Sequence, residues 1–444
     1  MNDEPLSNAE VARQIHAALE PLRVVPIGEE LPDEQPIGRL RRYPIRAADD
    51  VGILTLVDID GVLIWEDGAS SPAVPTARRG RGRAYPDGQI VTQLKYSKLL
   101  GSNQINEKLR QLDRRLTPLG PAELSEYDRT TWTGQTGAAP RKKGRILLFV
   151  HGTFSNCANM ISELRGEDQS PYPGRVFLDK AAEHYDQILG YDHFTLSVTP
   201  LVNAVDLARR FAESEAELDI VCHSRGGLVV RWLCEQLDRM PGRRRRVVFV
   251  GCPLKGTSLA DPQSLRNGLN LLTNVGKLLG STIGLVPLLA AAGGLTQILS
   301  SAGAFIARTP AADAMVGLVP GLAAMSRIIN NAELDSLNHG PPNSRTNYFA
   351  VVSNFQTEAA GWRFWKMFNL LKVADHTADY LVFNQHNDLV VDTESMTYHA
   401  FGDAPDVQRN ADQFCYFDET KGVHHTVYFR NPLTVEFLTN SLLV

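Results

Sequence analysis

The stretch LDIVCHSRGGLVVRWL, residues 218–233, passes from an apolar β-branched segment into a helical pattern. The apolar segment stops at Cys222 and the helical pattern starts at Gly226, so Ser224 lies on the predicted turn between a strand and a helix. A nucleophile on such a sharp strand–turn–helix connection needs small residues two positions before and two positions after it. Gly226 meets this need, and Cys222 stands where the G-x-S-x-G pattern has glycine. Ser224 is therefore either a nucleophile or a turn serine that caps the helix.

Strands and helices alternate on both sides of this turn. The predicted strands from Arg145 onward are mostly apolar, and they are RILLFV (145–150), FTLSV (194–198), ELDIVC (217–222), RRVVFVG (245–251), NYFAVVS (347–353) and DQFCYF (412–417). Two predicted helices, 203–213 and 226–239, separate successive strands. Fully apolar strands that alternate with helices are typical of a parallel sheet covered on both faces. The predicted fold class is α/β, with a doubly wound, mostly parallel sheet.

The first part of the chain follows a different pattern. Residues 1–143 are predicted to form an N-terminal extension of unknown role, and residues 144–444 the α/β domain. The segment VGILTLVDIDGVLIWEDG (51–68) predicts a β-hairpin whose tight turn is Asp60-Gly61. Residues 119–143 have the composition of a linker.

An insertion over 262–340 interrupts the predicted sheet. Within it, Leu278 to Ala307 carries no charge and is long enough to span a bilayer. It also contains glycines, a proline and several polar residues, and it lies between strands that must pair. We interpret it as a pair of apolar helices that cover a pocket, as a lid does, rather than as a transmembrane helix.

Composition narrows the function classes. With 43% hydrophobic and 21% charged residues, the 444-residue chain is typical of a soluble globular protein. The formal net charge of −5 argues against bulk nucleic-acid binding, and we interpret the short basic runs as solvated loops. Five cysteines do not make a disulfide framework, and no metal-binding spacing such as C-x-x-C or H-E-x-x-H occurs. The acidic start has no signal-peptide pattern, which predicts a reduced, cytoplasmic setting.

The segment FVHGTFSN, residues 149–156, ends the first strand of the α/β domain. A His-Gly pair followed by small residues suits a loop whose backbone N–H groups approach a substrate oxygen closely. An oxyanion hole needs one N–H from such a loop and one from the residue after the nucleophile. The candidate donors are Thr153 or Phe154 together with Arg225; otherwise the glycine is an ordinary one at the end of a strand.

An acid that orients a catalytic histidine is expected in a loop after a late strand. The segment YLVFNQHNDLVVDTESM (380–396) offers Asp388 and Asp392. We favour Asp388, which directly follows Asn387 and precedes an apolar run. Asp392 would then be the N-cap of a small helix.

The histidine is expected close to the C-terminus, after the last strand. The segment KGVHHTVYFRNP (421–432) offers His424 and His425. We favour His425, because the aromatic pair Tyr428 and Phe429 after it would hold the imidazole loop in place. The order serine, acid, histidine is then consistent along the chain.

With its VHGT loop (150–153) and its H-S-x-G-G elbow (223–227), the chain resembles the α/β-hydrolase superfamily in its lipase/esterase-like branch. The resemblance covers roughly residues 145–444. It implies Ser224 as nucleophile, His425 as base and Asp388 as the acid that orients the base. It also implies acyl transfer in two steps, with no metal and no organic cofactor.

Two departures from this family pattern concern the proposed nucleophile and acid. Cys222 replaces the first glycine of the elbow, and about 30 extra residues separate the strand 347–353 from Asp388. Residues 1–143 match no part of that fold.

Three other functions compete with ester hydrolysis. The segment LVDIDGVLI (56–64) is similar to the D-x-D-G signature of haloacid-dehalogenase-type phosphatases. The hairpin turn explains Asp60-Gly61, and the residues left before Arg145 are too few for that fold and offer no convincing paired-acid magnesium motif. The chain could also be an amidase or peptidase of the same fold, because triad geometry does not identify the acyl group. The last alternative is a binding protein with a degenerate hydrolase fold.

The substrate class follows from two apolar segments. The stretch 278–307 is similar to lipase lids, and GWRFWKMFNLLKV (361–373) mixes aromatic and basic residues as a helix at a lipid interface does. A core helix with extended Lys and Arg side chains explains the second segment equally well. The sequence thus favours an acyl ester, a lipid or another apolar ester, with candidate peripheral membrane contacts at 278–307 or 361–373.

Overall fold

The computed structural model describes residues 5–19, 25–26, 51–67, 89–97, 102–117, 120–166, 173–237, 244–261, 265–279, 286–301, 319–327, 331–339, 346–355, 387–398 and 411–443. The chain divides into two compact units. The described residues of unit 1 come from 1–112 and 262–319, and those of unit 2 come from 113–261, 320–361 and 380–444. Each unit is built from segments that are far apart in the sequence.

The described strands are short to medium in length. They are β1 Val25–Pro26, β2 Val51–Ile59, β3 Val62–Asp67, β4 Gln89–Ser97, β5 Ala122–Tyr127, β6 Gly134–Thr136, β7 Arg145–Val150, β8 Gln187–His193, β9 Glu217–His223, β10 Arg245–Val250, β11 Thr346–Ser353 and β12 Phe414–Phe417. The described α-helices are α1 Asn8–Leu19, α2 Ser102–Leu116, α3 Cys157–Arg165, α4 Pro173–His184, α5 Pro200–Arg210, α6 Gly226–Arg231, α7 Leu265–Leu279, α8 Val286–Ser301, α9 Pro320–Ala323, α10 Ala332–Asn338, α11 Thr393–Thr397 and α12 Pro432–Leu442. A π-helical turn, Trp232–Leu237, continues α6.

Unit 2 contains one eight-stranded sheet in the order β12-β11-β10-β9-β7-β8-β5-β6. The six strands from β12 to β8 run parallel, and β5 and β6 add an antiparallel edge. Two clusters of buried apolar side chains cover the sheet, and β7 contributes Leu148 to one cluster and Phe149 to the other. This mixed, mostly parallel sheet confirms the predicted fold class.

Two sequence predictions about unit 2 are wrong. Residues 119–143 are not simply a linker, because β5 pairs with β8 and β6 pairs with β5 in the main sheet. The predicted boundary at 143/144 therefore falls inside unit 2. The strand predicted at 194–198 is displaced, since β8 ends at His193 and the N–H groups of residues 195–197 bond to the Asp113 carboxylate instead of a neighbouring strand.

Unit 1 contains a four-stranded antiparallel sheet in the order β1-β4-β2-β3. β2 and β3 form a hairpin whose turn residues, Asp60 and Gly61, have φ angles of 54° and 90°. Two positive φ values are those of a type I′ turn, which matches the twist of the flanking strands. α8 packs on β2, β4 and α1, and α7 packs on β3 and α8. The apolar helices of the insertion therefore supply core to the N-terminal sheet.

Polar side chains of α7 cover the open edge of β3. Asn274 accepts a hydrogen bond from the Leu63 N–H at 2.7 Å and donates one to the Leu63 carbonyl at 2.7 Å, and Asn270 accepts from the Trp65 N–H at 2.9 Å. The two asparagines are four positions apart, so they lie on one face of the helix. An edge strand exposes unpaired backbone groups, and here a helix satisfies them in place of another strand.

The insertion predicted over 262–340 divides between the units. α7 and α8 belong to unit 1, whereas α9 and α10 belong to unit 2. The role of the segment as a lid stays a prediction, and residues 361–373 lie outside the described residues. Within the described ranges, we find no helix with the combination of length and apolar character that a membrane crossing requires.

Candidate active site

Ser224 lies on the turn that joins the central strand β9 to α6. Its φ angle is 52°, a left-handed conformation that costs a residue with a side chain about 1–3 kcal/mol and occurs mostly where function requires it. Two backbone hydrogen bonds hold this strained turn: the Ser224 N–H donates to the Val250 carbonyl, and the Gly227 N–H donates to the Ser224 carbonyl, both at 3.0 Å. The turn therefore has the backbone geometry of a nucleophile elbow.

Close packing around the elbow explains its small residues. A Cβ atom on Gly226 would lie 2.5 Å from the Val150 carbonyl oxygen, and one on Gly152 would lie 2.6 Å from the Ser224 Cβ. Neither site has room for a side chain, so the loop after β7 lies directly against the elbow. Cys222 is fully buried, and its Sγ lies 3.6 Å from the Val248 carbonyl oxygen.

His425 and Asp388 form a hydrogen-bonded pair. The His425 Nδ1 lies 2.8 Å from the Asp388 Oδ2, and that oxygen also accepts the Tyr428 hydroxyl at 2.8 Å. The Asp388 Oδ1 accepts the N–H groups of Val390 and Val391 at 3.1 and 2.8 Å. A carboxylate can only accept here, so Nδ1 carries the proton and the His425 Nε2 is left to act as a base.

Neighbouring residues bring this pair to the elbow. The His223 ring, one residue before Ser224, lies 4.7 Å from the His425 ring, and its Nε2 is 3.1 Å from the His425 carbonyl oxygen. Gly251 follows Val250, the acceptor of the Ser224 N–H. A Cβ on Gly251 would lie 3.1 Å from the Asp388 Oδ2 and 3.3 Å from the His425 Nδ1. Residues at the carboxyl ends of β9 and β10, His223 and Gly251, thus lie close to His425 and Asp388 and to the elbow that carries Ser224.

The electrostatics keep Asp388 ionised and the other histidines near the site neutral. Burial by itself would raise the pKa of Asp388, but the charge of His425 and the hydrogen bonds to its carboxylate hold that pKa below its usual value. Burial lowers the pKa of His223 to about 3, assisted by the nearby charge of His425, and burial lowers the pKa of His424 to about 4. Burial also raises the pKa of Tyr428, so its hydroxyl remains a donor to Asp388.

The alternative acid and the alternative base have other partners. The Asp392 Oδ2 accepts the Ser258 hydroxyl at 3.0 Å and lies 3.1 Å from Nη1 of Arg327. Asp392 does occupy the N-cap position of α11, but its side chain makes no capping hydrogen bond. The His424 Nδ1 lies 3.1 Å from the Thr426 hydroxyl. The structure thus brings Asp388 and His425 together, and it places Asp392 and His424 in other contacts.

The three candidate oxyanion donors flank the elbow. Phe154 has a positive φ angle of 62°, so the backbone after Thr153 turns sharply. Arg225 directly follows Ser224, and α6 begins at the next residue. Among the hydrogen bonds of the described residues, none uses the backbone N–H of Thr153, Phe154 or Arg225. These N–H groups therefore have no protein acceptor among the described residues.

A family model described as Domain of unknown function (DUF7379) matches residues 115–443. The chain belongs to this family. The matched region begins near the end of α2 and includes the whole eight-stranded sheet, the elbow and the His425–Asp388 pair. The strand order and the elbow of this DUF7379 chain identify its fold as that of an α/β-hydrolase.

Several solved structures are similar to the DUF7379 chain. The mature lipase BlEst2 of Bacillus licheniformis has 14% sequence identity and a TM-score of 0.39, with 68% of this chain and 93% of that chain covered. Lipase 1 of Pelosinus fermentans has 13% identity and a TM-score of 0.37, with 64% and 92% covered. Naproxen esterase (carboxylesterase NP) of Bacillus subtilis has 12% identity and a TM-score of 0.31, with 76% and 96% covered. No curated protein matches the chain.

His151 and His193 are residues of the site that the sequence reasoning missed. The His151 Nε2 accepts the His193 N–H at 3.0 Å, so the His151 Nδ1 carries the proton and donates to the Gly152 carbonyl at 2.8 Å. The two rings stack with their centroids 4.2 Å apart. These contacts fix the peptide before Thr153, one of the candidate donors. The His-Gly pair at 151–152 is the available signal, but it predicts only a loop close to the substrate and does not indicate the partners of the imidazole.

Within the described part of the chain, no group of three or more His, Cys, Asp or Glu side chains is arranged to hold a metal ion. The groups at and beside the elbow are a serine hydroxyl, an imidazole paired with a carboxylate, and backbone N–H groups.

Proposed function

We propose that this chain is a serine ester hydrolase that uses Ser224, His425 and Asp388. The observation that carries the proposal is the 2.8 Å contact between the His425 Nδ1 and the Asp388 Oδ2, next to a serine with a φ angle of 52°. A strained serine on an elbow, a histidine held by an acid, and open backbone donors are the three parts that acyl transfer requires. The elbow follows β9, the loop with Thr153 and Phe154 follows β7, Asp388 lies after β11, and His425 lies after β12.

The proposed first step forms an acyl-enzyme. The His425 Nε2 takes the proton from the Ser224 hydroxyl while its Oγ bonds to the ester carbonyl carbon, and the carbonyl π electrons move onto oxygen. The N–H of Arg225 and that of Thr153 or Phe154 stabilise this oxyanion. The imidazolium of His425 then protonates the alcohol as the carbon–oxygen bond of the ester breaks. Water, activated by His425, releases the acid in a second step of the same kind.

Asp388 is proposed to orient and stabilise His425. Its carboxylate fixes the tautomer in which Nδ1 carries the proton, and its negative charge stabilises the imidazolium that forms in each step. The backbone donors of Val390 and Val391 and the hydroxyl of Tyr428 hold the carboxylate in place. Because its pKa lies below the usual value, Asp388 remains ionised through the neutral range.

The proposed substrate is an acyl ester, and an apolar or lipid ester is the narrower proposal. Its support is the uncharged segment 278–307, which is similar in composition to lipase lids. In the described part of that segment, α8 buries apolar residues such as Leu289 and Leu295 within unit 1. Packing thus accounts for much of the apolar character, so chain-length preference must be measured directly.

Activity-based labelling with a fluorophosphonate tests this proposal. The probe is expected to modify Ser224 in the native chain, and neither Ser224→Ala nor His425→Ala should react or hydrolyse p-nitrophenyl esters. His424→Ala is the matched control, since the neighbouring histidine contacts Thr426 and should leave most activity. Labelling of Ser224→Ala at the native rate would refute the proposal. A panel of p-nitrophenyl esters from acetate to palmitate, with phospholipids and anilides, would then assign the acyl chain and the leaving group.

A further inference from the structure

Two fully buried arginines lie six positions apart at the elbow and in α6. Arg225 and Arg231 are both 0% exposed. A buried positive charge is costly unless a negative charge or a full set of hydrogen bonds compensates it. The two side chains meet this requirement in very different ways.

Arg231 is fully compensated. Its Nε lies 3.2 Å from Oε1 of the buried Glu235, and its Nη2 lies 3.3 Å from the other oxygen. Nη1 donates to the Leu254 carbonyl at 2.8 Å and to the Asn338 side chain at 2.7 Å. This arginine joins α6 to the loop after β10 and to the end of α10, which is a structural role.

Arg225 lacks such a set of direct partners among the described residues. Its Nη2 donates to the Val198 carbonyl, but Nε and Nη1 are buried and have no hydrogen-bond partner in that part of the chain. Among the described residues, no carboxylate lies within 4.0 Å of the guanidinium. Two carboxylates, Asp113 and Glu333, act on Arg225 from farther away. Asp113 accepts the N–H groups of Thr195 and Ser197, and Glu333 accepts the Leu201 N–H at 2.8 Å. Within the described part of the chain, the Arg225 guanidinium is therefore a buried positive charge with no direct ion-pair partner.

The position of this charge connects it to the proposed reaction. Arg225 directly follows Ser224, and its own N–H is a candidate oxyanion donor. Because both groups belong to one residue, the distance between the guanidinium and that N–H is at most the length of an arginine side chain. Although burial lowers the pKa of Arg225 to about 10, the group stays protonated at neutral pH. A fixed charge in a buried setting acts strongly on charge that develops nearby, because little water screens it.

We propose that the Arg225 guanidinium stabilises the tetrahedral oxyanion through space, so that its uncompensated charge is used only when the substrate carbonyl becomes negative. The inference rests on the proposed ester hydrolysis and adds a side-chain charge to its backbone donors. Arg225 acts here as a positioning and electrostatic residue, because the guanidinium itself is not required to touch the substrate. The covalent step is unchanged: the Ser224 Oγ–carbon bond forms, the carbonyl π pair moves to oxygen, and His425 receives the proton.

The alternative use of the charge is ground-state binding of an anionic substrate. An acyl chain that ends in a carboxylate would then occupy the unpaired donors before reaction. The two uses differ in kinetics. Stabilisation of the oxyanion changes kcat for neutral and anionic esters alike, whereas binding of a carboxylate changes KM for anionic esters alone.

The test compares Arg225→Gln, Arg225→Met and Arg225→Lys, with Arg231→Met as the matched structural control. Glutamine can still donate to the Val198 carbonyl, so Arg225→Gln removes the charge with the least structural change. The measurements are kcat and KM for neutral p-nitrophenyl butyrate and for an anionic ester with a terminal carboxylate. A third measurement is the inhibition constant of butylboronic acid, which forms an anionic tetrahedral adduct with a serine.

We expect the Gln and Met variants to lower kcat about 10- to 100-fold with KM changed less than about twofold. Their affinity for the boronic acid should fall by the same factor. Arg225→Lys, which keeps the charge, should recover most of kcat even if the Gln and Met variants fold poorly. Arg231→Met should lower the thermal midpoint but leave kcat of the folded protein unchanged.

Three results would overturn the inference. They are a native kcat in folded Arg225→Gln, a Lys variant as slow as the Gln variant, and a defect confined to KM for the anionic ester. Failure of the proposed function has a different signature. In that case the native chain would hydrolyse no ester and its Ser224 would not react with fluorophosphonate, whatever the Arg225 variants do.

Discussion

The two units of this chain obtain their cores in opposite ways. In unit 2, consecutive strands and helices of one region pack on each other, and five of the six parallel strands of the sheet lie between residues 145 and 353. In unit 1, a sheet from residues 25–97 is completed by helices from residues 265–301. The first arrangement follows the alternation of strands and helices along the sequence. The second joins segments that are far apart in the sequence.

This difference determines which structural features can be predicted from the sequence alone. The elbow at Ser224 depends on residues within a few positions, and the pattern at 218–233 is visible without any distant partner. The asparagines of α7 are also visible, but nothing local indicates that Asn274 pairs with the backbone of Leu63, 211 positions away. We therefore expect substitutions near the elbow of unit 2 to change mainly the catalytic activity. Substitutions at the long-range contacts of unit 1 should change mainly the stability of that unit.

The largest expected effect concerns the acid in unit 2. Asp388→Asn should lower kcat by about 10³- to 10⁴-fold, because an asparagine does not favour the tautomer with the proton on the His425 Nδ1 and does not stabilise the imidazolium. Steady-state hydrolysis of p-nitrophenyl butyrate measures the loss, and circular dichroism verifies the fold.

Asp392→Asn is the control for this prediction. It weakens the contacts to Ser258 and Arg327 and should reduce stability while the folded protein keeps its kcat. If Asp392→Asn lost activity as severely as Asp388→Asn, the choice between the two acids would have to be reversed or abandoned.

The second prediction concerns the tight packing of the elbow. Gly226→Ala should reduce activity at least 100-fold or prevent folding, because the new methyl group would lie 2.5 and 2.6 Å from the carbonyl oxygens of Val150 and His151. Backbone atoms cannot move aside as the end of a flexible side chain can. The activity of purified protein and its thermal midpoint measure the effect.

Cys222 provides the matched test on the other side of Ser224. Cys222→Gly should keep most activity, because it restores the residue that the G-x-S-x-G pattern has there. Cys222→Leu should disable the elbow, because its larger side chain must fit at a fully buried position. An active Leu variant would show that the elbow is packed less tightly than the distances indicate.

Local pattern and topology explain which predictions succeeded. The strands β7, β9, β10 and β11 were predicted to within one or two residues, because continuous apolar runs identify buried parallel strands. The strand at 194–198 was placed too late, since its apolar residues bury themselves in a loop held by Asp113 and not in the sheet. The contacts of His151 and the burial of the Arg225 side chain arise from residues that are close only in the folded structure. A local sequence pattern does not indicate that a charged side chain will be buried without a direct partner.

The third prediction tests the long-range contacts of unit 1. Asn274→Leu should destabilise unit 1 by about 1–3 kcal/mol, because the N–H and the carbonyl of Leu63 lose their partner in a buried setting. Amide hydrogen exchange in the β3 peptides should become faster, and exchange in the β9 peptides of the same sample is the internal reference. Thr273→Val is a weaker control, since it removes only the hydroxyl that the Trp65 indole contacts at 3.0 Å. Unchanged exchange in β3 would mean that the helix is not what protects this edge.

The smallest expected effect is a pH dependence of stability in unit 2. Burial lowers the pKa of His424 to about 4 in the folded state, whereas an exposed histidine has a pKa of about 6.5. The unfolded chain therefore takes up a proton first as the pH falls. The stability that His424 contributes is complete above about pH 6.5, decreases as the pH falls below it, and reaches its minimum near the folded pKa of about 4. At pH 5.5, one unit below the unfolded pKa, the loss is about 1.4 kcal/mol.

His424→Gln should remove this part of the acid sensitivity. The measurement is the free energy of unfolding in urea at pH 7.5 and pH 5.5, and the variant should lose about 1 kcal/mol less than the native chain between them. His16→Gln is the matched variant in unit 1, where burial also lowers the pKa of a histidine whose ring lies 2.6 Å from the Thr92 hydroxyl. Hydrogen exchange should report the His424 effect in the peptides around β12 and the His16 effect in those of α1 and β4.

If His424→Gln had the same pH dependence as the native chain, His424 would not be held neutral by burial. The acid sensitivity of unit 2 would then have to arise from other histidines whose pKa values burial lowers, such as His151, His193 and His223.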